Sequence, residues 1–393
     1  MPPGSTRMRC RRALLLGVVL PALLARAPVL AAQDDEDAEH RSPWRTSYFP
    51  YISGMANDGP VLSARIRYWQ PAPYEARTTY TGALDGAAGV SHRGSRYAAV
   101  RFRAPGLWKD WRLDASLIAE RLARHGYFGL GNDTVKDDDL VTEETPFLYR
   151  VRRIRYEARV EVTRRIRGPL HAALRADVGQ VRFTTLPGPS LFTADFGNGL
   201  EQDELSGRLA LIYDTRDTEF NTLRGLFAEA GLQLGEGEEQ YSRLYGVIRG
   251  YYPVREGTVV AARLAASGMG GTPTLYARSD LPTWNDQIPL LGGEYSHRSF
   301  DTGRFVGEGT LFGNFEVRHD VLPFGDLGAL SVVAFLDAGR VFEGESFRLT
   351  TDDLHVGGGG GIALRILRST IFVFNFAGGP DGFNFSLSNG WMF

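Results

Sequence analysis

The chain has 393 residues, a formal net charge of −2 and a hydrophobic fraction of 43%. That length suits two or three ordinary domains or one large all-β barrel, and the near-neutral charge excludes the basic footprint of a dedicated nucleic-acid binder. The only cysteine, Cys10, sits near the start, which excludes a disulfide scaffold or a thiolate metal site from the rest of the chain.

Residues 1–32 read as an export signal. Arg7, Arg9, Arg11 and Arg12 give a positive start, "ALLLGVVLPALLA" is a short apolar run, and "PVLAAQ" offers small residues for cleavage after Ala31 or Ala32. An uncleaved anchor is the rival reading, but the run is broken by Pro21 and falls short of a spanning helix. Cys10 precedes the apolar run, the wrong place for a lipid-bearing cysteine. Residues 33–46, including "QDDEDAEH", form a short acidic leader expected in the periplasm, and 47–393 form the remaining domain.

From there the dominant signal is alternation with a period of two, the mark of strands with two different faces. In "RYEARVEVT", Tyr156, Ala158, Val160 and Val162 oppose Arg155, Glu157, Arg159 and Glu161. "AALRADVG" and "LFAEAGLQL" repeat the pattern. A soluble antiparallel sheet also alternates. Three features favour a membrane barrel: opposite-sign charges paired along the polar faces, strands of roughly ten residues, and aromatics clustered near strand ends. Those clusters include Tyr68–Trp69, Trp108–Trp111, Tyr251–Tyr252 and Trp391–Phe393.

Taken in order, the expected strands are 47–54, 60–69, 75–82, 95–104, 111–122, 147–163, 170–184, 204–214, 223–235, 239–252, 257–268, 309–319, 329–338, 357–367, 369–377 and 382–393. About sixteen strands is an even number, as a bacterial single-chain barrel requires. "RGP" at 167–169 and "PFGD" at 323–326 read as tight periplasmic turns. The stretches beginning "HGYFGLGNDT" and "GTPTLYARSD" read as long external loops. In the closing strand, Phe383, Phe385, Leu387, Trp391 and Phe393 line one face, expected to meet lipid and to serve as a C-terminal assembly signal. The five glycines at 357–361 are expected to let the strand bend or a folded-in loop approach.

Catalytic signatures are missing. The chain has no G-x-S-x-G, H-E-x-x-H or G-x-x-x-x-G-K-[ST] string, and its seven histidines lack ligand spacing. The expectation is therefore no enzyme, no cofactor and no metal.

Several strings together resemble the bacterial surface antigen barrel of the BamA/TamA superfamily, which includes the two-partner secretion translocators. They are "YFGLGNDT", "LIYDTRDTEFNTLRG", "LLGGEYSHRSF", "GNFEVRHDVLPFGD", "VVAFLDAGRVF" and the closing stretch, in that order. The resemblance implies a transmembrane antiparallel β-barrel with a long loop folded into the lumen. It further implies that Arg298, at the tip with Ser299 and Phe300, pairs with Glu316 and Asp337. A guanidinium fork suits such carboxylates. The family tip has glycine where this chain has Ser299; if the backbone there needs positive φ, serine costs about 1 kcal/mol. Asp214, Arg216 and Asp217 read as a turn network at a strand end.

Relatives that assemble or translocate proteins carry POTRA domains before the barrel, and the short leader here leaves no room for one. Any handling of unfolded clients is therefore expected to need a separate periplasmic partner. Other expected partners are outer-membrane lipids, lipopolysaccharide and the barrel assembly machinery that inserts the chain; nucleic acid is not one. The leading expectation is a role in outer-membrane biogenesis or transport. The alternatives are a passive solute pore and a surface-exposed binding or anchoring protein.

Overall fold

The computed structural model describes residues 42–393 apart from 56, 57, 238, 285, 345, 346, 368 and 369. The expected export signal, residues 1–32, and the first part of the expected acidic leader lie outside the described residues.

Sixteen strands form one antiparallel sheet in which each strand pairs with its chain neighbours. The first half comprises β1 (Arg45–Met55), β2 (Gly59–Pro71), β3 (Tyr80–Ser91), β4 (Arg96–Trp108), β5 (Trp111–Gly126), β6 (Arg150–Arg167), β7 (Leu170–Thr184) and β8 (Gly199–Asp214). Next come β9 (Gly225–Glu236), β10 (Gln240–Arg255) and β11 (Thr258–Gly271). A separate hairpin, β12 (Asp280–Thr283) with β13 (Asp286–Pro289), interrupts the series. The sheet resumes with β14 (Gly309–Pro323), β15 (Gly328–Phe342), β16 (His355–Ile366), β17 (Thr370–Gly379) and β18 (Gly382–Asn389). β1 and β18 are the two edges of this sheet. Among the described residues no helix is long and apolar enough to cross a membrane.

Burial is inverted relative to a water-soluble fold. On β6, Tyr156 and Val160 are exposed while Glu157, Arg159 and Glu161 are buried. On β8, Leu205, Leu209 and Leu211 are exposed and Arg208 is buried. β10 does the same with Leu244 and Ile248 outside and Arg243 inside. An apolar face with nothing packed on it, repeated from strand to strand, suits hydrocarbon, and the charged face turns to the lumen. Tyr68, Trp108, Trp111 and Tyr252 are exposed near strand ends, the positions of interface girdles.

Two expectations need correction, and the long loop holds elements the sequence did not show. The third strand runs Tyr80–Ser91 rather than 75–82. Its sequence "YTGALDGAAGVS" is rich in glycine and alanine, so the hydrophobic alternation is faint; pairing with β2 and β4 sets its register. The last strand stops at Asn389 instead of running to the terminus. Gly390 takes φ +107°, a left-handed conformation that glycine adopts freely, and the chain leaves the sheet there. Trp391 and Phe393 consequently do not share the outer face with Phe383, Phe385 and Leu387, which are 95%, 61% and 46% exposed. Finally, the short hairpin and the single helical turn at Leu275–Arg278 within the long loop were too brief to show a period in the sequence.

Candidate functional site

The loop between β11 and β14 crosses the lumen and is held by many strands. Thr274 Oγ1 donates to Glu204 of β8 at 2.7 Å, and the Tyr276 hydroxyl donates to Glu157 of β6. Arg243 of β10 donates to the Ala277 carbonyl. At the hairpin, the Trp284 amide donates to Glu229 of β9 and its indole N–H to Thr163 of β6, both at 2.9 Å. Further along, Arg263 of β11 reaches the Tyr295 carbonyl at 2.6 Å. Within the loop, Leu281, Ile288, Leu290, Leu291, Phe300 and Phe305 form an apolar cluster with Phe312 of β14 and Val341 of β15. The polar wall thus meets a loop with its own small core, and burial of the charges follows from that cover.

The tip brings together the three residues expected there. Arg298 donates through Nε and Nη2 to the two Asp337 oxygens, at 2.9 and 2.8 Å, and through Nη1 to Glu316 at 2.5 Å. Its backbone N–H also donates to Asp337 at 2.9 Å, and Asn314 adds a fourth donor at 2.8 Å. The guanidinium carbon lies 3.5 Å from the Phe335 ring centroid. Burial by itself would lower the Arg298 pKa, but the carboxylates of Asp337 and Glu316 raise it above the ordinary value.

Ser299 is not strained. Among the described residues the non-glycines with positive φ are Asp110, Asp353 and Leu367, so the expected conformational penalty does not arise. The Ser299 side chain packs instead against Gly357 and Gly379, where an added Cβ would collide with it. The glycine run therefore admits the tip at Gly357. At Gly359 and Gly361 the obstacle to a Cβ is chiefly the β17 backbone. Phe300 sits edge-on to His297 and Phe305.

Residues not singled out in the sequence extend this site in two directions. Arg304, six positions beyond Arg298, donates to Asp381 at 2.5 Å and to Thr134 at 2.7 and 2.8 Å, tying the lumen loop to the β17–β18 and β5–β6 connections. The repeated Arg-x-Phe and Arg-Phe of the loop were the available signal. Arg318 donates to the other oxygen of Glu316 at 2.8 Å and to the Phe393 carbonyl at 3.0 Å, and lies 4.4 Å from the Trp391 ring. Glu316 and Arg318 thus link the loop tip to the inturned tail. Sequence reasoning missed this because alternation placed Trp391 and Phe393 on the outer face.

The turn residues lie elsewhere, between β8 and β9. Arg216 forks onto Asp214 at 2.9 and 3.0 Å, and Asp214 also pairs with Arg77 at 2.8 Å. Asp217 caps the turn by accepting from the amides of Thr218 and Leu223. Asn221 in the same turn accepts from the Trp391 indole at 2.8 Å. Among the described residues no cluster of three or more His, Cys, Asp or Glu side chains could hold a metal ion.

The Omp85 superfamily domain matches residues 83–390. No curated protein matches the chain. Among solved structures it is similar to BamA from Haemophilus ducreyi lacking POTRA domains 1-3, with a TM-score of 0.56 at 12% identity, over 89% of this chain and 70% of that one. It is also similar to CdiB from Escherichia coli, with a TM-score of 0.55 at 12% identity, over 87% of this chain and 61% of that one. Such low identity speaks to fold alone, but the superfamily match runs from β3 through β18 and takes in the lumen loop, Glu316 and Asp337. The chain belongs to the Omp85 superfamily.

Proposed function

We propose that this barrel serves protein assembly in, or secretion across, the outer membrane, and that it works by opening the seam between β1 and β18. The observation that carries this reading is the retreat of the tail. β18 has 8 residues against 11 in β1, and the last residues turn inward onto Arg318 instead of extending the edge. Edge strands with unpaired backbone groups are templates for another strand, so a short, retractable edge suits the addition of a client strand. The loop across the lumen, held by Arg298, makes a path through the centre less accessible than one through the wall. In this reading a separate periplasmic partner delivers clients, lipids and lipopolysaccharide contact the outer face, and the assembly machinery reads Phe383, Phe385 and Leu387 when inserting the chain. The role is not enzymatic.

Ser47 of β1 and Asn389 of β18 line one chamber, which allows a direct test. In cells depleted of the native protein, outer-membrane and surface protein levels are measured by proteomics. The wild type should restore them, a Ser47→Cys/Asn389→Cys protein should fail when its thiols are joined by a reducible bifunctional thiol reagent that spans the chamber, and reductant should rescue it. An unchanged protein profile with altered solute uptake would refute the proposal in favour of a pore.

A further inference from the structure

The lumen keeps a chamber of about 990 Å³ beside the sheet edges, with walls from β1, β2, β4, β17 and the inturned tail. Its lining holds eight arginines and two acidic side chains, Asp114 and Glu219, and Asp85 and Asp214 also pair with arginines of the lining. The imbalance is sharpest at Asp85, whose carboxylate receives three guanidiniums. Arg65 Nη2 lies 2.6 Å from Oδ1, Arg67 Nε 2.6 Å from Oδ1, and Arg103 Nη2 3.2 Å from Oδ2. Three positive charges on one negative leave an excess of two. The Tyr80 ring stands between Arg67 and Arg103, 5.3 Å from each, which holds both forks in place. The buried Nε of Arg103 and Nη1 of Arg112 have no acceptor among the described residues.

A structural ion-pair lattice does not require this surplus. Elsewhere in the lumen carboxylates match the guanidiniums more closely: Arg208 has Glu161 and Glu229, and Arg298 has Glu316 and Asp337. In the chamber the arginine side chains at Asp85 keep 23–31% of their surface open. Planar forks with spare donors favour a multi-oxygen dianion over chloride, because they bind phosphate oxygens bidentately. A volume of this order accommodates a small organic ligand. Phe49 and Trp391 add apolar surface to the same wall.

We infer that the chamber binds a phosphate monoester. The group arrives either as the headgroup of an anionic lipid entering at the seam or as a free phosphate ester. The inference is independent of whether the barrel assembles proteins, because it concerns binding by the purified chain.

The test measures binding to the full exported chain in neutral detergent with three probes: dihexanoyl phosphatidic acid, glycerol 3-phosphate and dihexanoyl phosphatidylcholine. The monoester lipid should bind saturably, and Arg67→Gln/Arg103→Gln should weaken it at least tenfold. That variant leaves Arg65 on Asp85, and heat-dependent migration in detergent gels verifies that it is folded. Arg182→Gln, whose exposed pair with Glu201 lies outside the chamber lining, should bind as the wild type does. Equal binding of glycerol 3-phosphate identifies free esters as sufficient, and binding of the lipid alone identifies the headgroup; both support the inference. Equal binding of phosphatidylcholine, an unaffected double variant, or no saturable binding of either monoester would overturn it.

Discussion

Arg298 and His297 are neighbours with opposite electrostatic fates. Arg298 keeps its charge in a buried place because two carboxylates and the Phe335 ring surround it. The His297 pKa lies below its ordinary value, chiefly through burial and further through the charges of His355 and Arg298; the Asp337 charge and the hydrogen bond to the His355 carbonyl only partly oppose this. Its Nε2 lies 2.9 Å from the His355 carbonyl, so the neutral ring donates there, while the buried Nδ1 has no partner among the described residues. An undocked tip takes up a proton below about pH 6.5, whereas the docked tip resists protonation. The undocked state then binds more protons, so docking weakens as pH falls through that value and is unaffected above it. Hydrogen exchange in residues 290–305, corrected for intrinsic rates, should quicken between pH 7.5 and 5.5. The response should shrink in His297→Gln without vanishing, because a second histidine, His355, stacks on Phe305 at the same tip. A wild-type loop indifferent to pH over that interval would contradict the assignment.

At the scale of elements, the lumen loop and β16 are matched by shape. A side chain at Gly357 would meet Ser299, and the Gly378 carbonyl would lie 3.0 Å from its Cβ. Gly357→Ala should therefore weaken tip docking by about 1–3 kcal/mol, the usual range for overpacking. Removing the opposing side chain with Ser299→Gly should return part of that loss, a coupling that independent sites would not show. Limited proteolysis within residues 290–305 reads both effects. Strictly additive single and double variants would mean that the two residues do not meet. β3 shows the complementary case, in which contacts rather than local pattern decide an element: a run of small residues becomes a strand because β2 and β4 supply its partners.

For the whole molecule, an arginine-rich interior and a greasy exterior define an inside-out protein, and the loop that crosses this interior should limit conduction. Arg298→Ala would leave Glu316 with Arg318 alone and remove the arginine fork from Asp337. Breaking a buried pair in this way costs about 3–5 kcal/mol. In planar bilayers the wild type should be nearly silent, and Arg298→Ala should show frequent openings of large conductance. Steady, equal currents from both would show that the loop does not plug the barrel.

Most of the sixteen-strand architecture was legible in the chain itself, because a period of two with charges on one side and leucines on the other marks most strands; β3, rich in glycine and alanine, was the exception. The pairing of Arg298 with Glu316 and Asp337 was legible only through ordered resemblance, since the partners are 18 and 39 residues away from it. The tail was misread for a physical reason: alternation reports the face a side chain takes while the chain remains in the sheet, and Gly390 removes the chain from it. The link from tip to tail through Glu316 and Arg318, and the gathering of Arg65, Arg67 and Arg103 on Asp85, depend on how distant strands curve around a common space. The sequence by itself determined which face of most strands is apolar; only the tertiary structure decided which charges meet inside, because that depends on how the sheet curves and on the path of one loop.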